Sequence, residues 1–334
     1  MQLPVSAVKN KVRVIYAGGT IGMLPGKQGL VPGRHFSSRL LPLLNKHWLT
    51  SLNCQLDFFE FNPPLDSSAM HASHWFDLAA QLLEEENHYT AFVLLQGNDT
   101  LAWTASAFYC LLNNFSRPLI LTASQLPLGT PNSDALSNFS LALEQSLQVK
   151  SGIFIAFADQ LLPAQTTRKF DSRNFAAFTA VSQPAIAKNK FWPAKGQLSV
   201  NELRQLAVDF KPRLLRLPLI PSLNDAWLSQ QLAGLDGLIL EGLGSGNSPI
   251  LPLTFKALAK LHKTQNLPIG LVSQCWQGGV NQNYAAGAAL LDAGAIPLGT
   301  MTPEYAETRL VSLLALEKLN KITRSQVVSY WQNG

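Results

Sequence analysis

The sequence predicts an α/β protein of two domains built on parallel sheets, and three observations carry that reading. Six short apolar runs each end in glycines or a polar tight turn: KVRVIYAGGT (11–20), AFVLLQGNDT (91–100), RPLILTASQ (117–125), SGIFIAFAD (151–159), LDGLILEGLGSGN (235–247) and LPIGLVSQC (267–275). Segments with helical apolar spacing lie between them. The chain of 334 residues is long enough for roughly two domains of about 150 residues each.

Each run is apolar at consecutive positions rather than alternating, as in a strand covered on both faces. The helical segments are SHWFDLAAQLLEEE (73–86), LAWTASAFYCLLNNF (101–115), SPILPLTFKALAKLHK (248–263) and TPEYAETRLVSLLALEK (302–318). The last has a complete start signal: Thr302 to cap, Pro303 where a first turn tolerates proline, and Glu304 favouring the positive end. From about 181 to 222 the pattern breaks into VSQPAIAKNKFWPAKGQ and KPRLLRLPLIPS, rich in Pro and Lys. The expected division is a domain over 1–190, a linker over 191–212 and a second domain over 213–334. There is no internal repeat and no low-complexity tract.

With 47% hydrophobic and 14% charged residues, the composition is the reverse of one that keeps a chain disordered. The three cysteines, Cys54, Cys110 and Cys275, lie far apart, cannot all pair and form no CxxC or Cys/His spacing. A reduced compartment and no zinc site are expected. The N-terminal stretch lacks the apolar core of a signal peptide, and no run of about 18 apolar residues occurs, so the expectation is a cytoplasmic protein with no membrane partner. The net charge of +5 admits an anionic partner, but Lys and Arg are scattered with no run longer than two. That distribution argues against nucleic acid.

In open α/β sheets, ligands bind beyond the carboxyl ends of the strands. Two turns there stand out. Gly18-Gly19-Thr20-Ile21-Gly22 combines a close backbone approach with a hydroxyl at a strand end. It lacks the GxGxxG and Walker spacings, and a bare glycine turn is its plain alternative. Gln96-Gly97-Asn98-Asp99-Thr100 leads into a helix, where an aspartate is ordinarily a cap.

Taken together, the motifs resemble the bacterial-type L-asparaginase family, in its cytoplasmic type I branch. The family's G-G-T-I-G turn matches Gly18 to Gly22, and its G-T-D-T turn matches Gly97 to Thr100. P-L-x-D-S-S reads Pro64-Leu65-Asp66-Ser67-Ser68, and T-G-S-Q-x-P-L reads Thr122-Ala123-Ser124-Gln125-Leu126-Pro127-Leu128. A lysine lies in TTRKFDSRNFAAF, followed by Gly244-Ser245-Gly246-Asn247, SQCxxGxVN around Cys275, and MTPE at 301–304.

The resemblance implies a large N-terminal domain with a flavodoxin-like, parallel or mixed sheet, a smaller C-terminal α/β domain, and a homodimer or homotetramer. It implies a small amino-acid ligand, asparagine or aspartate, and no cofactor or metal. Thr20 would be the nucleophile, with Asp99 and Lys169 as its catalytic companions. Substrate would be held by Asp66, Ser67, Ser68, Gly97, Asn98, Asp99 and Asn247, with Ser67 and Ser68 on the α-carboxylate, Asp99 on the α-amino group, and Asn247 reaching in from the partner subunit. Gly97 and Asn98 would offer backbone N–H groups to an oxyanion. Regulation by a second amino-acid site is also implied, while Cys275 itself reads as a buried structural cysteine.

The chain departs from the family pattern twice. Asn98 stands where the family has the first threonine of G-T-D-T, and a carboxamide cannot relay a proton as a hydroxyl does. In the lid segment LPGKQGLVPGR (24–34), Leu30 stands where the family usually has a tyrosine near the nucleophile. The expected function is therefore hydrolysis of L-asparagine to L-aspartate and ammonia through a Thr20 acyl-enzyme, with activity lowered by these departures. The alternatives are an amino-acid-binding or regulatory homologue, or an amidase with a different amide substrate.

Overall fold

The computed structural model describes residues 10–181, 192–194, 196–281 and 285–332, in two compact units, Met1–Ala180 and Val181–Gly334. The first unit runs β1 (Asn10–Gly18), β2 (Met23–Gly26), β3 (Gly29–Pro32), α1 (Phe36–Leu40), α2 (Lys46–Ser51), β4 (Cys54–Leu65), α3 (Ala72–Glu85), β5 (Ala91–Leu95) and α4 (Leu101–Leu111). It continues with β6 (Pro118–Thr122), α5 (Ala135–Gln148), β7 (Gly152–Phe157), β8 (Gln160–Pro163), β9 (Thr167–Lys169) and β10 (Phe178–Ala180). Strands β2 and β3 form a hairpin of their own, and β9 and β10 an antiparallel pair.

The main sheet has the order β4-β1-β5-β6-β7-β8 and is parallel except for the edge pair β7–β8. Leaving the hairpin aside, its first five strands stand in the order 2-1-3-4-5, the flavodoxin-like arrangement. The chain leaves β1 toward β4 on one side and returns to β5 on the other. In sheets of this order ligands bind beyond the carboxyl edge where the strand order reverses, so the turns after β1 and β5 are the ones to inspect.

Val12, Val14 and Tyr16 of β1 and Val93 and Leu95 of β5 pack in one cluster with Phe139, Ala142 and Leu143 of α5. Between them, Ile15, Phe92 and Leu94 are fully buried on the opposite face. Burial on both faces is why these strands read as unbroken apolar runs. Each large side chain so buried contributes about 1.5–3 kcal/mol.

The second unit comprises α6 (Val200–Asp209), β11 (Leu214–Pro218), α7 (Asp225–Gln231), β12 (Gly237–Gly242), α8 (Pro252–Gln265), β13 (Ile269–Ser273), α9 (Ala285–Asp292), β14 (Ala295–Pro297), α10 (Pro303–Lys318) and α11 (Arg324–Gln332). Its four strands are all parallel in the order β11-β12-β13-β14. Thr302 caps α10 as its sequence signal predicts, accepting from the Tyr305 N–H at 3.0 Å. Among the described residues no helix is long and apolar enough to cross a membrane.

Three expectations need correction. The stretch 191–212 is more than a linker, because it carries α6. A reciprocal capping box starts that helix, with Ser199 N–H donating to Glu202 at 2.8 Å and Glu202 N–H to the Ser199 hydroxyl at 3.3 Å. Its apolar face buries Leu203 and Leu206. The Pro- and Lys-rich residues 182–191, where the sequence pattern breaks, lie outside the described residues. Cys275 is exposed rather than buried, since it follows the end of β13 in a turn where its N–H bonds the Ser273 hydroxyl at 2.9 Å. The helix expected over 101–115 ends at Leu111, where Leu112 leaves helical geometry with φ −107° and ψ 37°.

Candidate active site

Because β1, β4 and β5 are parallel neighbours, the turns that follow them emerge side by side. Between Tyr16 and Gly18 the pairing with β4 shifts register, so that Gly18 stands opposite Leu65, and the Gly19 N–H donates to the Leu65 carbonyl at 2.8 Å. Gly19 has φ +80°, and a Cβ there would lie 2.1 Å from the backbone of Gly97. A Cβ on Gly97 would in turn lie 2.3 Å from that of Ser67. Two glycines thus let the turns after β1 and β5 touch through their backbones and let the Ser67 side chain pack against Gly97. Thr20 opens the single 3₁₀ turn that follows, Thr20–Gly22, with Ile21 buried beneath it and the Ile21 carbonyl accepting from the Leu128 N–H at 3.0 Å.

This packing makes Gly19→Ala a severe change. It combines a strained left-handed φ with a backbone clash, each worth about 1–3 kcal/mol. The expected result in urea unfolding is a loss of roughly 2–6 kcal/mol from the first unit.

The turn after β4 is held by Asp66, whose Oδ1 accepts from the Ser68 N–H at 2.8 Å and the Ser68 hydroxyl at 2.7 Å. Ser68 is exposed and its hydroxyl is occupied by this bond, whereas Ser67 is buried against Gly97. Thr100 ties the two turns together by donating to the Ser67 carbonyl at 3.1 Å.

Asp99 does not cap α4. Its Oδ1 instead accepts from Lys169 Nζ at 2.6 Å, and the Asp99 side chain is 67% exposed while that of Lys169 is 15% exposed. Lys169 reaches this point from the end of β9, which is held by pairing with Phe178 of β10 and by the Thr167 hydroxyl donating to the Pro163 carbonyl at 2.6 Å. The second acceptor for Nζ is Asn98 Oδ1 at 2.8 Å. Asn98 is buried, and its Nδ2 donates to the Ser124 carbonyl at 3.0 Å and to Gln125 Oε1 at 2.7 Å. A backbone carbonyl only accepts, so the carboxamide must turn its nitrogen toward Ser124 and its oxygen toward Lys169.

Gln125 completes the set by donating from Nε2 to the Asn174 carbonyl at 2.7 Å. Its own N–H, with that of Leu126, bonds the Asp134 carboxylate at 2.9–3.0 Å. The structure therefore brings together Thr20, Ser67, Gly97, Asn98, Asp99 and Lys169, with Asp66 and Ser68 forming the adjoining turn. Gln125, Asn174 and Asp134 were not singled out as site residues in the sequence. Gln125 does lie in the TASQLPL segment, but its side-chain partner is a residue that departs from the family pattern, so no motif marks the pair.

Two further expected site residues belong to other elements. Leu30 pairs with Pro25 in the β2–β3 hairpin and is 51% exposed. Asn247 belongs to the second unit, where its N–H and carbonyl both bond Leu243 at 2.8 Å to close the turn after β12.

The base of the hairpin is pinned by groups absent from the sequence reading. The Tyr16 hydroxyl donates to the Gly33 carbonyl at 3.0 Å, Arg39 Nη2 to the Gly22 carbonyl at 2.7 Å, and the Gly33 N–H to the same Gly22 carbonyl at 3.2 Å. Glu60 accepts from the Phe36 and Ser37 N–H groups and from the Ser37 hydroxyl. Burial would raise the Glu60 carboxyl, but these hydrogen bonds outweigh it and hold it below its ordinary value.

Burial pushes the Tyr16 phenol up to about 12 from 10.0, against a smaller opposing effect of Arg39. Between those values the unfolded chain has released a proton that the folded one retains, so stability falls as pH rises, by up to about 1.4 kcal/mol per pH unit. Burial and the hydrogen bond to Asp57 push the Tyr89 phenol up to about 12 as well, so urea unfolding across that window should show the slope of both groups, and Tyr16→Phe should remove only the share of Tyr16.

Comparison with known proteins gives a consistent picture. The family model described as "Asparaginase, N-terminal" matches residues 11–203, and that described as "Glutaminase/Asparaginase C-terminal domain" matches residues 214–326. The chain is 29% identical over 322 residues to L-asparaginase 1 of Escherichia coli K12, covering 92% of this chain and 93% of the relative. It is 30% identical over 350 residues to the 60 kDa lysophospholipase of Mus musculus, covering 96% of this chain but only 61% of that protein. The crystal structure of L-asparaginase I from Vibrio cholerae superposes with a TM-score of 0.79 at 25% identity, over 97% of each chain.

Proposed function

The chain belongs to the asparaginase family, and we propose that it hydrolyses the side-chain amide of a small amino acid, L-asparagine first among them, through an acyl-enzyme on Thr20. One observation carries the reading. Lys169 Nζ is held between Asp99 at 2.6 Å and Asn98 at 2.8 Å, in the same cluster of turns where the Gly19–Gly97 contact places Thr20.

In this reading the Thr20 hydroxyl oxygen attacks the carboxamide carbon. The hydroxyl proton is taken up at the site, and the backbone N–H groups of the Gly97–Asn98 turn receive the oxyanion. The C–N bond then breaks and the nitrogen leaves as ammonia with an added proton. Water attacks the resulting ester, releases the acid and returns the proton to Thr20. The exposed carboxylate of Asp99 has a second oxygen for the substrate α-ammonium. Ser67 lies beside it for the α-carboxylate. Ser68 serves indirectly, by shaping the Asp66 turn.

Asn98 determines how the proton moves. Both Nδ2 hydrogens are committed to acceptors and Oδ1 is an amide oxygen, so no proton passes through this side chain at neutral pH. With two directions of Nζ used by Asp99 and Asn98, its remaining tetrahedral position makes the exchange, directly or through one water.

The test is an acid-quenched reaction with L-asparagine, analysed by intact mass and ammonia release. The expected result is ammonia together with a transient adduct of one aspartyl group, mapped to Thr20. A second reading is favoured by the same Asn98 substitution: a binding protein that keeps the amino-acid frame without turnover. Thermal stabilisation by L-asparagine with neither ammonia nor adduct would decide for it.

A further inference from the structure

We propose that Gln125 is a positioning residue for Lys169, acting through Asn98. The proposal rests on the reaction proposed above and concerns how this chain carries an asparagine beside its lysine. A carboxamide next to Lys169 can present either of two faces. With Oδ1 forward it accepts from Nζ, and with Nδ2 forward it sets donor against donor.

The choice is made from behind. The Ser124 carbonyl takes one Nδ2 hydrogen at 3.0 Å, and Gln125 Oε1 takes the other at 2.7 Å. Gln125 can act as an acceptor there because its own amide is oriented by Nε2 donating to the Asn174 carbonyl at 2.7 Å.

That carbonyl is itself fixed. Asp171 Oδ1 accepts from the N–H groups of Arg173 at 2.7 Å and Asn174 at 2.9 Å, and Asn174 Oδ1 accepts from the Ala176 N–H at 3.0 Å. At its other end Gln125 is anchored by Asp134 through the backbone. The result is a directed chain from the Asn174 carbonyl through Gln125 and Asn98 to Nζ. Each amide in it has one allowed orientation, and only Oδ1 faces Lys169.

The test is a cycle of variants assayed for ammonia release. Gln125→Met keeps the volume and removes both hydrogen bonds. It should lower kcat about 10-fold with KM within about 2-fold, the range of weakened acid–base positioning. In an Asn98→Thr background no carboxamide needs orienting, and the same change should cost less than about 2-fold. Equal losses in both backgrounds would overturn the proposal, because a purely structural role is additive.

Gln125→Glu supplies the conservative rescue. Its protonated acid both donates and accepts, so kcat should approach the wild-type value at low pH. It should fall as the carboxylate forms against the Asn174 carbonyl, giving a limb in the pH profile that neither the wild type nor Gln125→Met shows.

If the wild type releases no ammonia at all, the proposed function falls, but Gln125 can still be judged from the Asn98 side-chain amide signals. Two slowly exchanging hydrogens in the wild type, one of them exchanging fast in Gln125→Met, would uphold the positioning role. Unchanged signals would overturn it.

Discussion

A Thr20→Ala variant is expected to lose kcat for amide hydrolysis by about 10⁴–10⁶-fold, the range found when one member of a nucleophilic unit is removed. That is a barrier increase of about 5.5–8 kcal/mol. The size of the effect follows from the proposed chemistry, in which no other side chain takes over the covalent step. Stability should be almost unchanged, since Thr20 is half-buried and its turn is fixed by the backbones of Gly19 and Ile21. Ammonia release under single-turnover conditions, with thermal unfolding in parallel, checks both halves. Wild-type activity in the folded variant would exclude Thr20 as the nucleophile.

The second large effect runs the other way. Asn98→Thr is expected to raise kcat by about 10–100-fold, because it places beside Lys169 a hydroxyl that both donates and accepts a proton. The gain stays below the full 10²–10⁴-fold value of an acid–base partner. The pocket is shaped for a carboxamide, and threonine leaves the Ser124 carbonyl and Gln125 Oε1 without their donor. Steady-state kinetics on L-asparagine and L-glutamine, side by side, are the measurement. The two substrates differ by one methylene, worth only about 1–3 kcal/mol in a pocket, so a gain shared by both would place the effect on proton transfer. No gain on either would direct attention to a different amide substrate.

The site shows where sequence logic reaches and where it stops. The strand-end turns that carry Thr20 and Asp99 were legible because they follow apolar runs that announce burial on both faces, while Thr20, Asp99 and Lys169 were expected at one site only through motifs whose spacing the family shares. Helix α10 was legible because its cap, proline and acidic first turn are local. Helix α6 was missed although its Ser199–Glu202 box is also local, because the surrounding proline- and lysine-rich composition read as a break. The exposure of Cys275 depends on how the chain turns after β13, which composition does not reveal.

What the sequence determined by itself was the class of the fold, the strands β1, β5, β6, β7, β12 and β13, the helices α3, α4, α8 and α10, and the residues in the turns at the ends of those strands; β4 and α5 were not among them. These depend on residues within a few positions of one another, where periodicity, caps and glycine turns act. The family resemblance implied that Asp99 meets Lys169, but only the tertiary structure decided the 2.6 Å hydrogen bond between them, that Ser68 is occupied by Asp66 while Ser67 lies against Gly97, and that Asn98 is oriented by Ser124 and Gln125. The physical reason is the same each time. A hydrogen bond to a residue 26, 27 or 70 positions away leaves no local trace, and its direction is set only when parallel strands bring their carboxyl-end turns into contact.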